Sequence, residues 1–186
     1  MNIGASHAAT SLAKMVDKTI DIGIPNIKII PIEETINVMD YNDLVAGVFL
    51  KTSEEYPTYI LLLFSFDNAL ILSNLLLGSE PDLNKAELDE MEQSAMEEVG
   101  NILMSSFFDS VTELIGISMI PGPPAVAVDM PSTLMEYLML EIGAAANEVI
   151  VFDIEINEEK ENSFRFDLFL MPEPKSIKMI LEKLGV

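Results

Sequence analysis

Sliding the sequence against itself by about 99 positions places Asn2-Ile3 on Asn101-Ile102, Ser6 on Ser105, Ser11 on Ser110, Gly23 on Gly122 and Pro25 on Pro124. An internal repeat constrains a fold more tightly than composition does, because each copy must build the same unit and bury its apolar face against a neighbour. The order of elements repeats with the identities. In the first half, Val45 to Leu50 and Tyr59 to Phe66 flank the polar turn Thr52 to Pro57; in the second, Val149 to Ile156 and Phe164 to Met171 flank Asn157 to Asn162. Each pair reads as a β-hairpin with a charged loop. A short helix ending in Leu-Gly follows each hairpin, Asn68 to Gly78 and Pro174 to Gly185. The chain therefore reads as an α+β fold, a duplicated unit with pseudo-two-fold symmetry. It is one domain, 1–186, of two α-β-β-β-α repeats, about 1–80 and 84–186, joined around Ser79 to Lys85.

The second hairpin shows which way it faces. Ile150, Phe152, Ile154 and Ile156 alternate with Asp153 and Glu155, as Phe164, Phe166, Leu168 and Leu170 alternate with Arg165 and Asp167. A period of two predicts one buried face and one largely wet face. The expectation is one continuous antiparallel sheet covered on one side by two long helices, Asn2 to Val16 and Lys85 to Ile115. Asn84 is the expected N-cap of the second helix, with Glu87 as its capping-box partner, and Gly116 stands where a left-handed C-terminal residue belongs. Pro121, Pro123 and Pro124 then enforce an extended backbone.

Composition excludes whole classes of activity. Ten basic residues against 31 acidic ones give a net charge of −21, which a nucleic-acid backbone or an anionic membrane surface would repel. Without cysteine, and with His7 as the single histidine, the chain has no disulfide, thiolate zinc site or cysteine nucleophile, and a Ser-His-Asp triad is not expected. His7 reads as a helix-surface residue. The longest apolar stretch, Tyr59 to Leu77, is interrupted by Ser65, Asp67, Asn68 and Ser73. It reads as strand, turn and helix, not as a membrane span. Met1 to Thr10 lacks the basic and apolar regions of a signal peptide, so a cytoplasmic location is expected.

On the long helix, Ser94, Glu98, Asn101 and Ser105 are spaced four, three and four apart and form one polar ridge. Leu88, Met91, Ala95, Val99 and Ile102 form the expected apolar stripe, and Asn101 points about 200° away from Val99. Glu98 and Asn101 should project into solvent together. On spacing alone they are ordinary residues of an acidic helix. The recurrence of asparagine at the equivalent position of the first half points further, since mid-helix asparagine has poor propensity. Asn2 and Pro25 are separated by 22 residues, as are Asn101 and Pro124.

Ser94-x3-Glu98-x2-Asn101, followed after 21 or 22 residues by Pro123 or Pro124, resembles the signature of the CheC/CheX/FliY response-regulator phosphatases, as does the local run Glu-Glu-Val-Gly-Asn-Ile. The duplicated architecture resembles the CheC type within that family. The resemblance implies a chemotaxis phosphatase that stimulates hydrolysis of the aspartyl phosphate of the response regulator CheY. CheY would supply Mg²⁺ and a lysine, so this chain would need no cofactor or metal of its own. Asn101 would orient the attacking water and Glu98 would anchor to a CheY lysine; in the first half Asn2 and Pro25 match, but the glutamate position would fall ahead of Met1. The resemblance also implies CheD, a receptor deamidase, as a partner at Asp129, which reads equally as a strand-end residue before Pro131. A non-catalytic adaptor binding CheD or a flagellar switch component is the alternative. Nothing suggests a small-molecule enzyme, because no phosphate loop, metal cluster or nucleophile constellation is present.

Overall fold

The computed structural model describes residues 8–14, 19–23, 26–53, 55–143, 147–158 and 162–184. Helix α1 runs through residues 8–14. It is followed by strands β1 (Ile20–Ile22) and β2 (Asn26–Pro31), a 3-10 turn at Ile32–Glu34 and the short helix α2 (Thr35–Val38). The first hairpin, β3 (Val45–Lys51) and β4 (Thr58–Ser65), leads into α3 (Phe66–Leu77) and the long α4 (Glu90–Ile115). Then come β5 (Ala125–Asp129), α5 (Pro131–Ile142), the second hairpin β6 (Glu148–Glu158) and β7 (Asn162–Pro172), and α6 (Pro174–Leu184). All strands join one seven-stranded sheet in the order β1-β6-β7-β4-β3-β5, with β2 also on β6, and every pairing is antiparallel. The two hairpins meet through β4 and β7. The first half lays its edge strands on β6, and the second half lays its edge strand β5 on β3.

The expectation of one wet face fails. One face buries Ala46, Val48, Leu62, Phe64, Phe166 and Leu168 under α1, α3 and α4. The opposite face buries Val45, Leu61, Leu63, Val149, Val151 and Phe169 beneath Leu134, Met135, Leu138 and Ile142 of α5. Consecutive residues Val45 to Val48 are all buried, the run expected of a strand covered on both sides. Helix α5, absent from the sequence reading, starts with Pro131 at its first position, where the missing N–H costs nothing. Within α1, Ala8 and Ala9 are buried, as small residues permit at a close contact.

The start of α4 also differs from the expectation. Asn84 is held in a turn in which Asp82 Oδ1 accepts from its backbone N–H and its side-chain amide, both at 3.1 Å. The helix begins five residues later. Asp89 accepts from the N–H groups of Met91 and Glu92, and Glu92 Oε2 accepts from the Asp89 N–H at 2.9 Å, a complete capping box. Met91 is 63 % exposed and so leaves the apolar stripe, which runs instead through Ala95, Met96, Val99, Leu103 and Met104. At the other end Gly116 takes the left-handed conformation, φ 69°, and donates to Thr112 O, as expected.

Glu92 is nearly buried yet fully bonded, accepting also from Lys85 Nζ at 2.7 Å and Asn74 Nδ2 at 2.9 Å. Burial alone would raise its pKa; the bonds from Lys85, the Asp89 N–H and Asn74 outweigh it and hold the carboxyl below the usual range. A carboxyl lowered by folding stabilises the protein above its unfolded pKa, and that contribution is lost as pH falls through the folded value. Glu92→Gln is therefore expected to cost about 1–3 kcal/mol at neutral pH in chemical denaturation. Its melting temperature should also fall less than that of the wild type between about pH 5 and pH 3.

Candidate functional site

Helix α4 is held on the sheet by its buried row, and the opposite row faces solvent. Ser94, Glu98 and Asn101 are exposed and Ser105 is half-buried, so the ridge expected from the spacing is present. Neither Glu98 nor Asn101 forms a side-chain hydrogen bond or ion pair with any described residue. Both are rooted in a rigid element, because Val99, between them, is completely buried.

Gly100, beside Asn101, sets how closely this helix approaches the sheet. A Cβ at position 100 would lie 2.6 Å from Val48 Cγ1, far inside contact distance. Val48 is itself buried and paired with Leu62 and Val126. Sequence reasoning passed over Gly100. The available signal was the cost of glycine in mid-helix, about 1 kcal/mol against alanine, which calls for a packing reason.

The prolines sit on the connection that carries the chain from α4 to β5, Pro123 exposed and Pro124 half-buried. This connection is pinned to the end of β3: Pro121 bridges to Thr52, and the Gly122 N–H donates to Lys51 O at 2.8 Å. Strand β5 then runs along β3 with Val126 and Val128 packed on the same cluster as Ile102 of α4. Asp129 ends β5, where Oδ1 accepts from the Met130 N–H at 2.7 Å, the strand-end arrangement that the sequence allowed. Asn2, Pro25 and His7 lie outside the described residues.

The ridge offers a neutral amide able to donate and accept, and an ionisable carboxylate one turn away. Among the described residues no group of three or more His, Cys, Asp or Glu could hold a metal ion, and no helix is long and apolar enough to cross a membrane.

The architecture, a broad antiparallel sheet with a long helix presenting polar residues outward, is shared with solved FliY and CheX structures. The FliY structure from Thermotoga maritima superposes with a TM-score of 0.78 at 21 % identity, covering 99 % of this chain and 91 % of that one. CheX in the CheX-CheY-BeF3-Mg complex from Borrelia burgdorferi gives a TM-score of 0.52 at 18 % identity, covering 91 % of this chain and 96 % of that one. In sequence, residues 1–29 and 91–128 match the CheC-like family. The CheY-P phosphatase CheC of Bacillus subtilis is 27 % identical over 188 residues, covering 99 % of this chain and 90 % of the relative. The chain is thus similar to the CheC-like family over these two segments and to a CheC protein over nearly its whole length. The second matched segment contains Ser94, Glu98, Asn101, Pro123 and Pro124.

Proposed function

We propose that this chain is a protein aspartyl-phosphate phosphatase that stimulates dephosphorylation of CheY in the cytoplasm. The observation that carries this reading is the exposed, unpartnered Glu98/Asn101 pair on α4, inside the segment matching the CheC-like family. Its similarity to a CheY-P phosphatase supports the chemistry, and the CheX-CheY pairing on a related fold supports the partner.

Hydrolysis of an aspartyl phosphate needs a water in line with the departing carboxylate and neutralisation of the phosphoryl oxygens. Mg²⁺ and a lysine on CheY would supply the neutralisation, so this chain contributes position. The Asn101 carboxamide accepts from the water and donates to a phosphoryl oxygen, fixing the attack geometry. Water attacks phosphorus, the bond to the aspartyl oxygen breaks, and the electron pair leaves with the CheY carboxylate. Glu98, one turn earlier on the same face, pairs with a CheY lysine and aligns the two proteins. Of the two repeats, about 1–80 and 84–186, the second carries this pair, and Asn2 and Pro25 are the matching positions of the first. Asp129 is the corresponding proposal for a CheD contact.

The test is the decay of phosphorylated CheY with and without the protein. Acceleration at substoichiometric concentration supports the reading. No acceleration, together with tight binding to CheD or a flagellar switch component, would assign the adaptor role instead. Glu98→Ala is expected to raise the half-saturating concentration of phosphorylated CheY about tenfold while changing the maximal rate less, since an ionic anchor serves mainly the encounter.

A further inference from the structure

A cavity of about 260 Å³ lies on the face of the sheet opposite α4, where the core under α5 gives way to polar side chains from β2, β6, β7 and the segment after α2. Strand register creates an electrostatic problem there. Asp153 of β6 stands directly opposite Asp167 of β7, and like charges at such a pair destabilise a sheet. Arg165 answers only one of them, binding Asp153 through Nε at 2.7 Å and Nη2 at 2.6 Å. Asp167 is half-buried and forms no ion pair. Tyr41, beside it, donates its hydroxyl proton to Leu63 O at 3.0 Å. Lys28 lines the cavity without an ion pair of its own.

The charged groups facing this space are Lys28 and Arg165 against Asp40, Asp153 and Asp167, a net charge of one negative. We propose that the cavity is a binding site for a small organic monocation, an alkylammonium or guanidinium group, with Asp167 as its counter-ion. The volume exceeds that of a bare ion, and Val38 and Val151 give the cavity apolar walls that suit an organic body. The protonation of Asp167 agrees: burial, reinforced by Asp153, pushes its carboxyl up to about 6 despite the opposing influence of Tyr41, Arg165 and Lys28. Burial and the neighbouring Asp167 charge likewise hold Tyr41 protonated.

The experiment is an NMR titration of the full chain with methylguanidinium chloride and, separately, propylammonium chloride, at constant ionic strength and about pH 7.5. Saturable shifts confined to amides around Tyr41, Arg165 and Asp167 are expected. Asp167→Asn should weaken binding at least about tenfold, because the counter-ion is lost. Glu113→Gln removes the same unit of charge from the exposed side of α4 and should leave the affinity unchanged, separating the site from the general field of an acidic protein. Lowering the pH to about 5 should weaken binding by about tenfold as the proton competes for Asp167. Asp167→Asn should melt no lower than the wild type at neutral pH, since folding raises the pKa of Asp167 and so disfavours its ionised form in the folded state. Non-saturating shifts, equal responses from wild type and Asp167→Asn, or the same shifts with potassium chloride would overturn the proposal.

Discussion

Asn101→Ala is expected to lower stimulated decay of phosphorylated CheY by at least about a hundredfold, the scale on which loss of a positioning group is felt in a preorganised reaction. Folding should survive. Asn101 is exposed and its side chain bonds to no described residue, and alanine is the better helix former, so the unfolding free energy should stay the same or rise by a few tenths of a kcal/mol. This split distinguishes a working residue from a structural one. A variant lacking the Asn101 amide that still accelerates decay like the wild type would remove the residue from the chemistry and leave the ridge as a contact surface.

The second large effect is expected at Gly100. Helix propensity alone predicts that Gly100→Ala stabilises by about 1 kcal/mol. The 2.6 Å approach to Val48 Cγ1 predicts the reverse, because overpacking a filled core costs about 1–3 kcal/mol. Packing should win, since Val48 is a stiff β-branched residue clamped between two strands. The check is chemical denaturation of Gly100→Ala, Val48→Ala and the double variant. The double variant should recover much of the loss in Gly100→Ala, the non-additivity expected of residues in contact. A stabilised Gly100→Ala would show that α4 is not held on the sheet at this point.

The elements that were legible from sequence are those fixed by local pattern. The alternation through β6 and β7 was visible because Asp153, Glu155, Arg165 and Asp167 interrupt the apolar residues at every second position. The outward ridge was visible because three- and four-residue spacings define a helix face whatever lies beneath. The second covered face was not legible: the same alternating charges on β6 and β7 suggest solvent, and only tertiary placement brings α5 over the sheet centre. The cap was misplaced because Asn84 and Asp89 are both good N-caps, and the competing turn at Asp82 decides between them. Gly100 escaped because its reason, Val48, lies in a different element 52 residues earlier.

Each half of this chain completes the other's sheet: β5 lies on β3, and β1 and β2 lie on β6. Neither hairpin can therefore be excised with its own neighbouring strand still attached in space. A break in the connection around residues 79–85 would leave two fragments that are topological complements, each missing a strand that only the other can return. The molecule is thus indivisible in a way its linear sequence conceals. An insertion at that connection must spare the bond from Lys85 to Glu92, and exchanging one half for a homologous half must preserve a handshake at both edges of the sheet.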